Sequence, residues 1–332
     1  MTLSIALWRP TSSRTQIGSP SASNSPVACR PPLFSKPGWT QWRLRRRRRP
    51  SRRAAGAKRI ALENPSNPED GLVATRAGLE PVEIGVDEAG TRVDELECAG
   101  PDAVVLTPAH QHPTGVVLSG ERRTALLAWL RASDAIVIED DYDAEYRYDR
   151  AAIGALQGLD PDRVIYAGSA SKTLAPALRL GWLVVPPSLL PAVSYEKLLA
   201  DRGTARIEQH AFADFLTRGE LDRHLRRMRS RYRGRRDALV EALAEALPDA
   251  AVRGVAAGLH VTVQLPDGDD EQTIRDEAHH RHVELETMSD YQPHNRNGPP
   301  TLLLGYAQMP EPAIRAGVHE LAQAVRAARP RA

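Results

Sequence analysis

Short apolar runs that end in polar residues or glycine recur between residues 59 and 186, and helix-length segments separate most of them. Their content of Val, Ile, Leu and Tyr is typical of buried strands. Ser119 is placed to cap a helix that runs to about Ala132. Strands that alternate with helices predict a mostly parallel sheet covered by helices, which is an α/β domain. The six candidate strands lie at 59–64, 81–87, 102–108, 135–142, 163–168 and 180–186.

The chain beyond residue 190 follows a different pattern. A long helical region over 207–246 precedes a helix-and-strand module with strands near 258–265 and 301–306. The chain has 332 residues, enough for a large α/β domain and a smaller α+β domain. The expected boundaries are 57–190 for the large domain, 191–250 for a helical connection and 251–328 for the small domain.

Residues 1–58 contain 13 Lys and Arg and no Asp or Glu, although the net charge of the whole chain is only +2. The segment includes RLRRRRRPSRR at 43–53 and lacks hydrophobic periodicity, so we predict that residues 1–56 are disordered. Three interpretations are open: an arm that binds nucleic acid or another anionic surface, an organellar transit peptide, and translation from a wrong frame or start site in a GC-rich gene. We favour the last, which detection of an N-terminal peptide by mass spectrometry would contradict.

Cysteine usage and hydropathy indicate an intracellular protein. The only cysteines, Cys29 and Cys98, are far apart and indicate neither a disulfide framework nor a zinc site. No run approaches the roughly 18 apolar residues that span a membrane, so we expect no membrane partner and a cytoplasmic location.

Two other polar clusters have structural explanations that we prefer. The arginine-rich segment 222–236 could contact nucleic acid, but its acidic neighbours favour a solvated helix. His279, His280 and His282 are too close in sequence to face one way on a helix, so no metal site is expected.

Lys172 lies in GSASKTLAPALRLGW, residues 168–182, directly after a predicted strand. Ligands of open α/β folds bind at the carboxyl ends of strands, so this lysine is a candidate for chemistry. A lysine that forms an imine with an aldehyde cofactor needs a carboxylate, a hydroxyl and a phosphate site close by.

The neighbouring strand ends supply such groups. Asp140 could keep a pyridine nitrogen protonated, and Tyr142 could donate a hydrogen bond to a phenolic oxygen of the same ring. Ser169 and Arg179 suit a phosphate monoester, the arginine through paired charge-assisted bonds. Any one of them has an ordinary structural explanation, but their order and strand-end positions together favour a cofactor site.

Several of these strings belong to a known pattern. SASKTLAPALRLGW, IEDDYDAEYRYDR and TPAHQHPTG, with RRTALLAWL between them, closely resemble the aminotransferase-like domain of MocR-type regulators in the GntR family of transcription factors. In such regulators a winged helix-turn-helix precedes a fold-type-I domain that binds pyridoxal 5'-phosphate and senses an amino compound or the cofactor. The resemblance covers about 57–327 and implies the fold-type-I α/β architecture. Class I and II aminotransferases share the lysine and the aspartate, whereas the DDY spacing and the HQHPTG string are typical of the regulators.

The resemblance implies a role for each candidate residue. Lys172 would be the lysine that binds the cofactor aldehyde, and no metal would be involved. His112 falls at a position that varies among relatives, so we interpret it as a packing residue. The implied cofactor ligands are Asp140 at the pyridine nitrogen, Tyr142 at the ring oxygen, Ser169 and Arg179 at the phosphate, and His110 or Gln111 near the ring.

The chain also departs from the family pattern. Residues 1–56 show no winged-helix pattern, so DNA binding in the family's manner is not expected. The early strand and the glycine-rich helix start that bind the phosphate are also missing, which predicts weaker cofactor binding. Asn67 stands where relatives carry a stacking aromatic ring. Gln308 stands where an arginine would bind an amino-acid carboxylate, and a neutral amide cannot form that ion pair.

These observations predict a pyridoxal-phosphate-binding sensor domain of a MocR-type regulator, truncated at its start, with a small amino compound as effector and a homodimer as the expected assembly. The alternative is an active class I/II aminotransferase, in which Lys172 would move a proton between substrate and cofactor. A third alternative, an arginine-rich nucleic-acid binder that uses 43–53, would bind in a strongly salt-dependent way.

Overall fold

The computed structural model describes residues 56–148, 154–203, 205–292 and 298–329, together with two short strands, β1 (Ser4–Leu7) and β2 (Leu33–Phe34). Most of segment 1–56 lies outside the described residues. Its predicted disorder and its origin therefore stay predictions.

A large sheet contains all six strands that the sequence predicts. Five neighbouring strands are parallel and the sixth, β9, runs antiparallel to β8. In the part of the chain that the structure describes, the sheet has nine strands in the order β2-β1-β9-β8-β7-β6-β3-β4-β5. Besides β1 and β2 these are β3 (Arg59–Asn64), β4 (Glu80–Asp87), β5 (Gly90–Thr91), β6 (Ala103–Leu106), β7 (Ile136–Asp141), β8 (Val164–Ser169) and β9 (Leu180–Val184).

Helices α1 (Pro68–Arg76), α2 (Val93–Ala99) and α3 (Gly120–Ala132) connect strands of this sheet. The predicted cap of α3 is confirmed, because the Ser119 side chain accepts a hydrogen bond from the Arg122 backbone N–H at 3.2 Å. Such a cap contributes about 1 kcal/mol to helix stability. Residues Leu126 and Leu130 of α3 are fully buried in the core of the large sheet.

The helical region predicted over 207–246 consists of two helices, α6 (Arg206–Thr217) and α7 (Glu220–Ala246), after a preceding helix α5 (Leu190–Asp201). Gly219 separates α6 from α7 with a φ of 66°, a left-handed conformation that glycine adopts without steric cost. The helical sequence pattern continues through Gly219 and therefore does not reveal this break between α6 and α7.

A second sheet is antiparallel throughout and follows the order β10-β11-β13-β12. Its strands are β10 (Ala251–Arg253), β11 (His260–Gln264), β12 (Glu286–Thr287) and β13 (Thr301–Gly305), with helices α8 (Glu271–His280) and α9 (Glu311–Ala328) packed against it. The carboxyl half of α7 shares this core through Leu239 and Leu243. The exact domain boundaries stay predictions. Among the helices of the described ranges, none has the length and apolarity needed to cross a membrane.

Candidate functional site

Lys172 lies on a single helical turn, α4 (Ala170–Thr173), that follows β8 directly. Ser169, the last residue of β8, caps this turn, since its hydroxyl accepts a hydrogen bond from the Ser171 N–H at 3.1 Å. Ser171 and Thr173 are buried, whereas the Lys172 side chain is exposed. Lys172 thus lies between two small buried hydroxyl residues, and it is the exposed residue of this turn at the carboxyl edge of the sheet.

The peptide carbonyl that follows Lys172 is held from two sides. The Thr173 carbonyl accepts a hydrogen bond from the Tyr146 hydroxyl at 3.1 Å and lies 2.9 Å from Nε2 of His224. Tyr146 belongs to the loop after β7, and His224 belongs to α7. The lysine turn is therefore fixed to both the large sheet and the connecting helix.

The residues predicted to bind phosphate flank this turn. Arg179 follows a 3-10 helix (Pro176–Leu178) and adopts a left-handed conformation with a φ of 52°. The buried Ser171 hydroxyl has no hydrogen-bond partner among the residues that the structure describes. A buried hydroxyl without a partner is costly, so this group is suited to receive a polar ligand.

The acidic residues at the end of β7 have different hydrogen-bond partners. Glu139 accepts hydrogen bonds from the backbone N–H groups of Leu156 and Gln157. Asp141 accepts a side-chain hydrogen bond from the Tyr166 hydroxyl at 2.9 Å. Burial raises the pKa of both carboxyl groups. Side chains alternate along a strand, so Asp140 lies on the opposite face from these two carboxylates.

Tyr142 contacts a buried histidine and aspartate pair. Its hydroxyl lies 3.1 Å from Nδ1 of His110, and the same nitrogen lies 2.9 Å from Oδ2 of Asp143. Burial, and then the negative charges of Asp143 and Asp140, raise the pKa of Tyr142 well above its ordinary value. The Tyr142 phenol therefore keeps its proton and is suited to donate a hydrogen bond.

A cluster of aromatic rings surrounds this pair. The ring of His112 packs edge-on against Tyr291 and His260, with centroids 5.0 and 5.3 Å away, as expected of a packing residue. Burial and neighbouring positive groups lower the pKa of His112 to about 3 and that of His260 to about 4. Lys172 contributes to both shifts, so its amino group lies within electrostatic range of the rings.

The structure assigns Gln111 an internal function. Its amide Nε2 donates to the carbonyls of Pro65 and His112, both at 2.8 Å, and its Oε1 accepts from the N–H and the hydroxyl of Thr114. Nε2 also lies 3.4 Å from buried Glu63. These bonds use the hydrogen-bonding capacity of a glutamine side chain. Gln111 holds the loop together, and its role as a cofactor ligand stays a prediction.

The two residues that depart from the family pattern lie at the surface or at a helix start. Asn67 caps α1, since its side chain accepts from the Glu69 N–H at 3.2 Å. The Gln308 side chain is exposed in the loop after β13. Of the predicted site residues, the structure brings Tyr142 and His110 into contact and places Lys172 within electrostatic range of the neighbouring His112 and His260 rings, whereas Gln308 has no comparable described contact.

The arginine-rich helix is largely solvated, as predicted, since most of its arginines are exposed, and three of them also bond to neighbouring segments. Arg229, Arg233 and Arg235 on α7 donate hydrogen bonds to the backbone carbonyls of Glu145, Tyr148 and Ala307. These arginines therefore fasten α7 to the loop after β7 and to the end of β13.

The predicted absence of a metal site rested on the histidines near residue 280. Nδ1 of His279 lies 2.7 Å from a carboxylate oxygen of Glu284. Within the described ranges, no group of three or more His, Cys, Asp or Glu side chains is arranged to hold a metal ion.

Several residues of the site were missed by sequence reasoning. His260 and His224 lie far from Lys172 in sequence, and no local pattern marks them. Asp143 stands in the polar run DDYDAEYRYD, where burial was not evident. Gly258 packs closely against the ring of His110, and the only sequence signal for this contact is that the residue is a glycine.

The fold is that of an α/β protein in which Lys172, a candidate site residue, lies at the carboxyl edge of a mostly parallel sheet. The family described as Aminotransferase class I and II matches residues 73–283, and the chain belongs to that family. The predicted fold-type-I architecture is confirmed. A solved structure of Pyrococcus horikoshii kynurenine aminotransferase superposes with a TM-score of 0.74 and 28% identity, over 82% of this chain and 70% of that chain.

Curated relatives point to the regulator branch. An uncharacterized HTH-type transcriptional regulator of Bacillus subtilis strain 168, YhdI, is 35% identical over 268 residues, which cover 79% of this chain and 56% of the relative. The probable rhizopine catabolism regulatory protein MocR of Rhizobium meliloti is 32% identical over 254 residues, which cover 75% of this chain and 50% of that protein. The chain spans about half the length of these relatives. The resemblance to MocR-type regulators is confirmed.

Proposed function

We propose that this chain is the effector-sensing, pyridoxal-phosphate-binding domain of a MocR-type transcriptional regulator. The observation that supports this most is the position of Lys172 directly after β8, next to the buried unsatisfied hydroxyl of Ser171 and within electrostatic range of the His112 and His260 rings. The similarity to regulators such as YhdI and MocR favours sensing over turnover.

The residues present fit the cofactor. Lys172 would hold its aldehyde carbon, and Asp140 would face its pyridine nitrogen. Tyr142 keeps its proton and would donate a hydrogen bond to the ring oxygen. The hydroxyl of Ser171, which has no partner among the described residues, would join Ser169 and Arg179 at the phosphate. When bound, pyridoxal phosphate supplies a carbonyl carbon that amines attack and a ring that withdraws electrons.

The chain's own residues would then select the amino compound. His112 and His260 are half-buried, and their lowered pKa values of about 3 and 4 keep both rings neutral near pH 7, so they add no positive charge to the ligand space. Gln308 is exposed and neutral, and it offers no ion pair to a carboxylate. We therefore infer that the effector is a small amino compound recognised chiefly through its amine.

The test is a visible absorption spectrum of the purified chain with added pyridoxal phosphate. We expect a band from lysine-bound cofactor in the parent and in Lys58→Ala, a control that removes an exposed lysine at the amino end of β3, and no band in Lys172→Ala. Borohydride reduction followed by peptide mapping should place the cofactor mass on the Lys172 peptide. A band that persists in Lys172→Ala, or no band in the parent, would contradict the proposal.

A second candidate function is transamination, which the similarity to an aminotransferase structure favours. In this case Lys172 would carry a proton between the substrate carbon and the cofactor. Addition of amino donors with keto acceptors separates the two functions. An enzyme converts many equivalents of donor, whereas a sensor shows one stoichiometric spectral change.

Assembly and location are part of the same proposal. Helices α5 and α6 expose large apolar side chains, including Tyr195 at 59% and Ile207 at 82% exposure, which favours a homodimer. Sedimentation should then give twice the chain mass. The free, exposed thiol of Cys98 fits a reducing, cytoplasmic compartment.

A further inference from the structure

The buried pair beneath Tyr142 is built around one nitrogen. Nδ1 of His110 lies 2.9 Å from Oδ2 of Asp143 and 3.1 Å from the Tyr142 hydroxyl oxygen. The side chains of His110 and Asp143 are only 3% and 1% exposed. Two hydrogen-bonding partners therefore compete for a nitrogen that carries either one proton or one lone pair.

The Asp143 carboxylate decides this competition. If Nδ1 carries the proton, it donates a charge-assisted hydrogen bond to Asp143. If Nδ1 carries the lone pair, a buried carboxylate oxygen faces that lone pair at 2.9 Å with no proton between them, which is strongly unfavourable. His110 therefore holds its proton on Nδ1, and the Tyr142 hydroxyl cannot donate to that atom.

Other carboxylates near Tyr142 are already engaged. Glu63 accepts hydrogen bonds from the Thr91 hydroxyl and from the N–H and hydroxyl of Thr107. Asp141 accepts from Tyr166 and from a backbone N–H. The groups that impose charge on Tyr142 are Asp143, Asp140, Glu63 and Asp141. The His112 ring packs edge-on against Tyr142 with centroids 5.8 Å apart, and Arg147 lines a small pocket beside His110 and Asp143.

The segment before β11 packs closely on the His110 and Asp143 pair. Gly258, from the segment before β11, lies so close that an added Cβ would be 2.1 Å from Cε1 of His110 and 2.7 Å from Oδ2 of Asp143. The His260 ring centroid lies 5.2 Å from that of His110. Close packing on this side of the ring restricts its movement and favours a single hydrogen-bond arrangement.

We propose that Asp143 and His110 are positioning residues that keep the Tyr142 hydroxyl proton directed away from His110 and available to the ring oxygen of the cofactor. This inference rests on the proposed cofactor function, but its first part concerns the protein alone. The Asp143 carboxylate fixes the His110 tautomer, and the tautomer fixes the direction in which Tyr142 donates.

The first arm of the test uses the cofactor-free parent protein. Nitrogen-15 NMR of the histidine rings, with His110 assigned by the signal lost in His110→Gln, should show Nδ1 as the protonated nitrogen. Protonation on Nε2 alone would overturn the proposal. Because this arm needs neither cofactor nor an Asp143 variant, it stands even if cofactor binding fails or the variant does not fold.

The second arm measures the pH midpoint of the visible band of bound pyridoxal phosphate. Loss of the Tyr142 hydrogen bond makes the ring oxygen more basic, so Tyr142→Phe should raise the midpoint by about one pH unit. Asp143→Asn allows the His110 proton to move to Nε2, so that Tyr142 can donate to Nδ1 instead of to the ring oxygen. This variant should therefore also raise the midpoint. Removal of a negative charge alone would lower the midpoint, because the charge stabilises the bound proton.

Asp141→Asn is the matched control, because Asp141 also acts on Tyr142 through its charge but has no described hydrogen bond to His110. We expect it to lower the midpoint or leave it unchanged. In the Tyr142→Phe background, Asp143→Asn should no longer raise the midpoint. A fall in the single Asp143→Asn variant, or an equal rise in both backgrounds, would refute the proposed route through Tyr142.

Discussion

Replacement of Gly258 by alanine should destabilise the protein by about 2 to 5 kcal/mol. The φ of Gly258 is +70°, which costs an alanine about 1 to 2 kcal/mol. The new Cβ would also lie 2.1 Å from His110, and overpacking of this kind costs about 1 to 3 kcal/mol. The backbone cannot retreat easily, because the Gly258 carbonyl accepts hydrogen bonds from Tyr148 and Tyr306. Urea denaturation followed by circular dichroism measures the loss.

Gly78→Ala is the matched control. Gly78 has a similar φ of +78°, and an added Cβ there meets no atom within 4 Å. This variant should lose only the backbone contribution of about 1 to 2 kcal/mol. Equal losses in Gly78→Ala and Gly258→Ala would refute the inference that the segment before β11 presses on the His110 and Asp143 pair.

Two further predictions concern stability. Ser119→Ala removes the cap of α3 and should cost about 1 kcal/mol in thermal or urea unfolding, whereas Ser119→Asp should be nearly neutral; an unchanged Ser119→Ala would show that the cap contributes nothing. The pKa of His260 is lowered from 6.5 to about 4, so below pH 6.5 the unfolded chain binds a proton that the folded chain does not. The stability that neutral His260 provides is complete above pH 6.5 and is lost as the pH falls toward 4. The urea midpoint of the parent should therefore fall more steeply between about pH 7 and pH 5 than that of His260→Gln, and parallel falls would exclude His260 as the source.

The strands and the cap of α3 could be predicted from the sequence because they depend on near neighbours. The apolar runs, the position of Ser119 and the strand-end location of Lys172 are local patterns, and the structure contains each of them. Gly219 was missed as a helix break because a single glycine within a helical pattern does not require one.

The enclosure of the site could not be predicted in the same way. His260 and Gly258 meet His110 across roughly half of the chain, and no local pattern reports such a contact. Gln111 is a further example, since its position in the HQHPTG string predicts a ligand, which stays a prediction, but does not reveal the hydrogen bonds of its amide to Pro65, His112 and Thr114. Sequence patterns give the residue types at a site, but only the packed structure shows which polar atoms remain available.

His224, which contacts the Thr173 carbonyl, connects α7 to the lysine turn. The helix is fastened near its start, through His224 and Arg229, to the lysine turn and to the loop after β7. Its far half carries Leu239 and Leu243 into the core of the small sheet. The amino half of α7 joins the same core through Leu225, and Arg235 bonds to the carbonyl of Ala307 after β13. The lysine turn and the core of the small sheet therefore share one helix, and a displacement of the turn that moved α7 would move the small sheet with it.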